Sequence, residues 1–170
     1  MRAIARLLSA HILLLLATSA WAQPPATLQD TTPCGKLMAE RVSVPDDFSL
    51  TFRSGPTHAS WGGSRSTTVT ASGLVTIKSV QRSKGRAGKP EENSTERQIS
   101  KQAVQRLYAN VLACRFFELD ASYWNKRVMD GSVASLEVTA GGKKHNVVVH
   151  HYPVDRFRTI VSALSEALEK

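Results

Sequence analysis

The sequence predicts an α+β domain, an antiparallel sheet built from hairpins with two helices packed on one face. Three observations carry that prediction. Two stretches, "STTVTASGLVTIKSV" (66–80) and "SVASLEVTA" with "KKHNVVVHHY" (132–152), alternate apolar and polar residues around turn glycines. Each is followed by a segment whose apolar residues recur at helical spacing. No internal repeat appears beyond that coarse recurrence of hairpin and helix.

The elements follow in order. In "FSLTFRS" (48–54), Phe48, Leu50 and Phe52 alternate with polar residues, the period of a half-buried strand. "GPTHASWGGSR" (55–65) is a glycine-rich loop carrying His58 and Trp61, the first candidate recognition segment. In the first hairpin a two-residue turn would place Val69 opposite Thr76. A three-residue turn ending in Gly73 instead pairs Val69 with Val75 and Thr67 with Ile77. The second register gathers the apolar residues on one face and gives Gly73 the left-handed position, so it is the one expected.

"RSKGRAGK" (82–89) reads as a basic loop, and the acids of "PEENST" (90–95) as its continuation. Ser100 is placed to cap a helix whose stripe is Val104, Leu107, Tyr108, Val111 and Cys114. "ELDASYWNKRVMDGS" (118–132) reads as a long irregular connection, and Tyr123 and Trp124 make it the second candidate recognition segment. Gly141-Gly142 then closes a hairpin pairing Val138 with His145, Leu136 with Val147 and Ala134 with Val149. Pro153 is expected at the first position of the last helix, whose stripe is Phe157, Ile160, Val161, Leu164 and Leu168.

The N-terminal 22 residues have the form of an export signal. Arg2 and Arg6 precede "LLSAHILLLLA", and small residues at Ala20 and Ala22 flank Trp21. Residues 23–45 read as a tail or linker and 46–170 as one domain. The expected location is periplasmic or secreted after cleavage near Ala22. Two cysteines, Cys34 and Cys114, lie beyond that signal. An oxidising compartment favours a bridge between them, worth about 4 kcal/mol in the chain-entropy model. The other reading is an unpaired pair with Cys114 as a small buried hydrophobe.

The chain carries 22 Lys and Arg against 14 Asp and Glu, a formal charge of +8. Arg2 and Arg6 belong to the signal, and residues 82–89 hold much of the rest. Neither a nucleic-acid motif nor a row of aromatics accompanies them, so no nucleic acid is expected. The alternative is an envelope-associated module that binds a small ligand or touches an anionic surface weakly through 82–89. "NST" (93–95) fits a glycosylation acceptor, a short and common pattern.

"HNVVVHHYP" (145–153) raises the question of a metal or catalytic site. On a regular strand His150 and His151 point to opposite faces. His145 and His151 share a face but stand about 20 Å apart, too far for one ion. The reading is polar ends on a valine strand, with no metal, no cofactor and no catalytic residue assigned. An enzyme built on His58 with a loop acid such as Asp130 is the lesser reading.

"FFEL" after a helix, then "DG", "LEVTAGGKKHNVVV" and a proline-led helix resemble the emfourin-like family of small bacterial protease inhibitors. The stretch is also similar to small exported bacterial domains of no assigned function. The resemblance covers roughly 116–168, with an echo in "FSLTFRSGP". It implies a compact α+β domain that binds a secreted metallopeptidase of the thermolysin type. "RSGPTHASWGG" and the stretch from Phe117 to Asp130 are longer than in that family, so no inhibitory residue is carried across.

The function expected is an exported, monomeric, non-enzymatic binding domain with a protein partner. Its candidate contact residues are Arg53, His58, Trp61, Arg65, Tyr123, Trp124 and Arg127, since aromatics and arginine concentrate at binding hot spots. Trp61 reads equally as contact or lid, and Trp124 more readily as core packing.

Overall fold

The computed structural model describes residues 33–35, 39, 42–57, 63–81, 90–128 and 131–169. Seven strands form one sheet: β1 (Ser49–Pro56), β2 (Ser64–Thr70), β3 (Leu74–Gln81), β4 (Glu91–Gln98), β5 (Ser122–Trp124), β6 (Ser132–Ala140) and β7 (Lys143–His150). Two helices, α1 (Lys101–Ala113) and α2 (Asp155–Glu169), complete an α+β fold. No helix among the described residues is long and apolar enough to cross a membrane.

The strand order is β4-β3-β2-β1-β6-β7-β5. Five of the six pairings are antiparallel, but β5 runs parallel to β7 through Ser122–Val148, Tyr123–Val149 and Trp124–His150. The sheet is therefore mixed, not antiparallel throughout. Its cause lies in the connection after α1, which was expected to be irregular. Phe116–Glu118 form a single 3-10 turn and the chain then lays three residues along the free edge of β7. So short a strand shows no alternation in sequence.

The acids read as loop also differ. Glu91–Gln98 form β4, which pairs along its whole length with β3. Every residue of β4 is exposed, so it has no apolar face by which a sequence pattern could reveal it. Its charges blunt the sheet edge against further pairing.

Both hairpins have the expected registers. Val69 faces Val75 and Thr67 faces Ile77, with Gly73 at φ +84°. Val138 faces His145, Leu136 faces Val147 and Ala134 faces Val149. Asp47 closes the second turn, its two carboxylate oxygens each accepting a 2.7 Å bond from the N–H of Gly141 and Gly142. These bonds, Gly142 first, hold the Asp47 carboxyl below its ordinary range.

Ser100 caps α1 as expected, its hydroxyl accepting from the Ala103 N–H at 3.2 Å. The predicted stripe of α1 is buried. α2 starts at Asp155, because Pro153 and Val154 still belong to the approach from β7. Leu50, Val69, Val75, Leu136, Val138 and Val147 from the strands share one core with Leu107, Val111, Phe157 and Ile160 from the helices. Phe48 meets Tyr108 of α1 with ring centroids 5.1 Å apart, and Phe52 meets Phe157 of α2 at 6.4 Å. Burial, then the nearby charge of Asp47, raises the Tyr108 phenol above its ordinary range.

Cys34 and Cys114 are bonded, closing a loop across 80 positions. The Gly35 N–H also donates to the Ala113 carbonyl at 2.9 Å. Residues 33–35 are thus tied to the end of α1, and Cys34, Val42 and Val44 pack against the core.

Candidate functional site

The strand directions send three connections out of one end of the sheet. These are β1 to β2 (57–63), β3 to β4 (82–90) and β5 to β6 (125–131). They are the two aromatic segments and the basic one singled out in the sequence. His58, Trp61, residues 82–89 and Asp130 lie outside the described residues.

The stems of the two aromatic segments are joined. Thr57 donates both its N–H and its hydroxyl to the Gly131 carbonyl, each at 2.8 Å. Thr57 Oγ1 also lies 3.2 Å from Nε2 of His150. A hydroxyl has one proton, and here it goes to a carbonyl that only accepts. The network therefore assigns the Nε2 proton to His150, which donates to Thr57. In neutral His150 the second nitrogen, Nδ1, then carries a bare lone pair. It is fully buried and has no hydrogen-bond partner among the described residues.

Trp124 covers this histidine. The indole and imidazole rings stack at 4.1 Å with an 11° tilt. Trp124 is nonetheless 52% exposed. The expectation of core packing for Trp124 is corrected: only its inner face is covered. The cause is β5, which carries Trp124 out along the sheet edge above the last residue of β7.

His151 departs from the sequence argument as well. It was placed on the face opposite His150, but β7 ends at His150 and His151 adopts a left-handed backbone with φ +46°. The alternation rule stops with the strand. Its ring turns back beside His150, with centroids 5.2 Å apart, edge to face. Nε2 of His151 accepts the Ser132 N–H at 3.0 Å, so its proton sits on Nδ1. A Cβ at Gly131 would collide with this ring. The two histidines thus bind the stems at Thr57, Gly131 and Ser132.

This bonding bears on metal chemistry. Nε2 of each ring is engaged, and Nδ1 of His151 is protonated, so the pair as arranged does not present two lone pairs to one ion. No cluster of three His, Cys, Asp or Glu able to hold a metal occurs among the described residues. His145 lies elsewhere, its Nε2–H donating to the Leu119 carbonyl at 2.8 Å beside the Phe116 ring.

The remaining candidates divide between faces. Arg53 pairs across to Ser66 and Ser135, and that row continues through Val148 to Ser122. Trp124 and His150 lie on the same face one row further along. Arg65 pairs with Ser54 and Ser79 and so faces the other way. Tyr123 also takes that opposite face, where its ring lies 5.8 Å from Tyr152 and its hydroxyl accepts the Asp120 N–H. Arg127 is exposed in a turn held by Asn125, whose Oδ1 accepts the Arg127 N–H at 3.1 Å. The structure therefore brings Trp124 and Arg53 to one face and sends Tyr123 and Arg65 to the other.

Thr57, His150, His151, Gly131 and Ser132 were not singled out as site residues. The one available signal was the His-His pair at a strand end, read under a rule that holds only inside the strand. A groove between the helices, lined by Ala103, Arg106, Ala113, Ala163, Glu166 and Ala167, lies away from this network. No protein-family model matches the chain, and no curated protein matches it either.

Proposed function

We propose that the protein is an exported, non-enzymatic binding domain that engages a protein partner at the end of the sheet where the stems of the two aromatic segments are joined. The observation that carries this reading is the pair of bonds from Thr57 to Gly131, which fixes the two stems side by side. Joined stems let two short segments act as one surface, and rigid attachment lowers the ordering cost of binding. The half-exposed Trp124, held from behind by His150, supplies an anchor of the kind that dominates interfaces.

In this reading α1 and α2 cover one face of the sheet and leave the other open. The alternation of buried Leu50, Val69, Leu136 and Val147 with partly exposed Thr51, Thr68, Glu137 and Val148 supports it. Export is supported by the Cys34–Cys114 bridge, which is compatible with an oxidising compartment. The emfourin-like resemblance makes a secreted metallopeptidase the first partner to try, with occlusion of its cleft as the mechanism.

The test is inhibition of, and direct binding to, a thermolysin-type peptidase, alongside capture from envelope extract with mass identification. Trp61→Ala and Trp124→Ala should each weaken the complex by about 2 kcal/mol while the fold is kept. Retention of full affinity in both variants removes this end of the sheet as the contact surface.

A further inference from the structure

We infer that the open sheet face running from Trp124 to Arg53 binds a short acidic saccharide, with a sugar ring on the indole and a carboxylate on the guanidinium. This goes beyond the protein-partner reading and uses the flat face rather than the joined stems, although it shares Trp124.

Four features of the face point to that chemistry. First, Trp124 is a preorganised platform. Its inner side is fixed on a buried ring, His150, which is fixed in turn through Thr57 and Gly131. The outer side of a flat indole backed by a buried ring suits the C–H face of a pyranose. Second, the register lays partly exposed Val148 and Val133 between Trp124 and Arg53, bordered by Ser122, Ser135 and Ser66. Small apolar patches beside hydroxyls match a ligand whose rings alternate C–H faces with hydroxyl edges.

Third, Arg53 is exposed and makes no ion pair with the described residues. Glu137, on the adjoining strand and the same face, is paired with Lys144 at 3.2 Å. Lys78 lies further out between Glu92 and Glu96 of β4, so it presents less net charge. Arginine takes a carboxylate through two parallel bonds. Fourth, three strand spacings separate Trp124 from Arg53, roughly 14 Å, a length that calls for several linked rings rather than one.

The same features disfavour other occupants. A peptide added to a sheet binds at an edge through backbone bonds, whereas on this face the backbone groups are already used in the ladders. A nucleic acid calls for a denser line of cations. A lipid surface calls for an apolar face that the serines and threonines do not supply.

The experiment is isothermal calorimetry of the full chain with a short oligogalacturonate and with its neutral methyl ester. The acid form should bind more tightly than the ester. Trp124→Ala should lower affinity for both by about tenfold or more, and Arg53→Gln should abolish the difference between them. Arg65→Gln, on the opposite face, should change nothing, and unaltered thermal unfolding shows that each variant is folded. Absence of binding to the acid form overturns the inference. So does equal affinity for acid and ester, or an equal effect of Arg65→Gln and Arg53→Gln. Peptidase binding is measured on the same proteins: if Arg53→Gln leaves it intact and no saccharide binds, this inference falls and the protein-partner reading stands. Saccharide binding without any peptidase complex gives the reverse.

Discussion

The two ends of the β6–β7 hairpin are closed in opposite ways. At the Gly141-Gly142 turn the polar groups are matched: both oxygens of Asp47 accept backbone N–H groups, and both glycines take the positive φ the reversal needs. Further along β7, His145 is anchored on the Leu119 carbonyl beside Phe116, two residues past the disulfide at Cys114. At the other end the matches fail. His150 is buried with Nδ1 unpaired, His151 sits in the left-handed region, and Trp124 stands half in water. An unpaired buried polar atom costs about 1–3 kcal/mol. Left-handed backbone occurs at both ends, since Arg115 beside the disulfide has φ +50°, so the unpaired nitrogen and the half-wet indole carry the contrast. Such costs gather where a site requires a geometry that packing alone would not choose. In the proposed reading the first end stabilises the fold and the second displays a surface.

If that division holds, the largest change in stability comes from the disulfide and leaves the display end alone. Replacing both cysteines, Cys34→Ala with Cys114→Ala, should lower the unfolding free energy by about 4 kcal/mol in the chain-entropy model. Urea denaturation measures it, and the affinity of the surviving folded fraction for its ligand should be unchanged. A parallel loss of affinity would break the comparison, because the two ends would then be one cooperative unit.

A smaller change of opposite sign is expected at the display end. His150→Phe keeps a flat ring under Trp124 and deletes the unpaired nitrogen, at the loss of one bond to Thr57. The balance of a relieved buried acceptor against one lost hydrogen bond is a gain of about 1 kcal/mol. Binding should weaken, since Thr57 loses a partner and the stems are less firmly set. Thermal unfolding decides the first part. A loss of about 2 kcal/mol instead would mean the imidazole is a structural requirement, and the end is no compromise.

The same contrast governs what the sequence made legible. The register of the first hairpin followed from comparing which pairing puts Val69, Val75 and Ile77 on one face, and that of the second from placing Gly141-Gly142 at the turn. The Ser100 cap and the stripe of α1 followed from local rules. All of these lie where side-chain burial and local geometry agree. β4 was not legible, because "EENSTERQ" is exposed on both faces and owes its form to eight pairings with β3. β5 was not, because three residues gain strand geometry only by contact with the edge of β7. The histidine network was hidden for a related reason. His150 and His151 were treated as continuous strand, while the chain turns left-handed between them, and nothing in "VVVHHYP" announces that turn. Trp124, Arg53 and the stems at Thr57 and Gly131 are distant in sequence and meet only through strand order.

The finest test of the closed end is a change of charge without a change of shape. The Asp47 carboxyl is held below its ordinary range by the bonds from Gly142 and Gly141. A depressed carboxyl contributes stability that is present above its unfolded value, about 3.9, and is lost as pH falls through the lower folded value. Asp47→Asn keeps one acceptor, loses the charge and turns an amide donor toward a backbone N–H. The variant should therefore melt slightly below the parent at neutral pH, and the gap should close as acid protonates Asp47 in the parent. Melting curves of both proteins from neutrality down to about pH 3 read this directly. No gap at any pH in that range would mean the turn is held by the two glycines alone. The closed end would then owe its order to backbone geometry, and the contrast with the histidine end would rest on packing rather than on polar satisfaction.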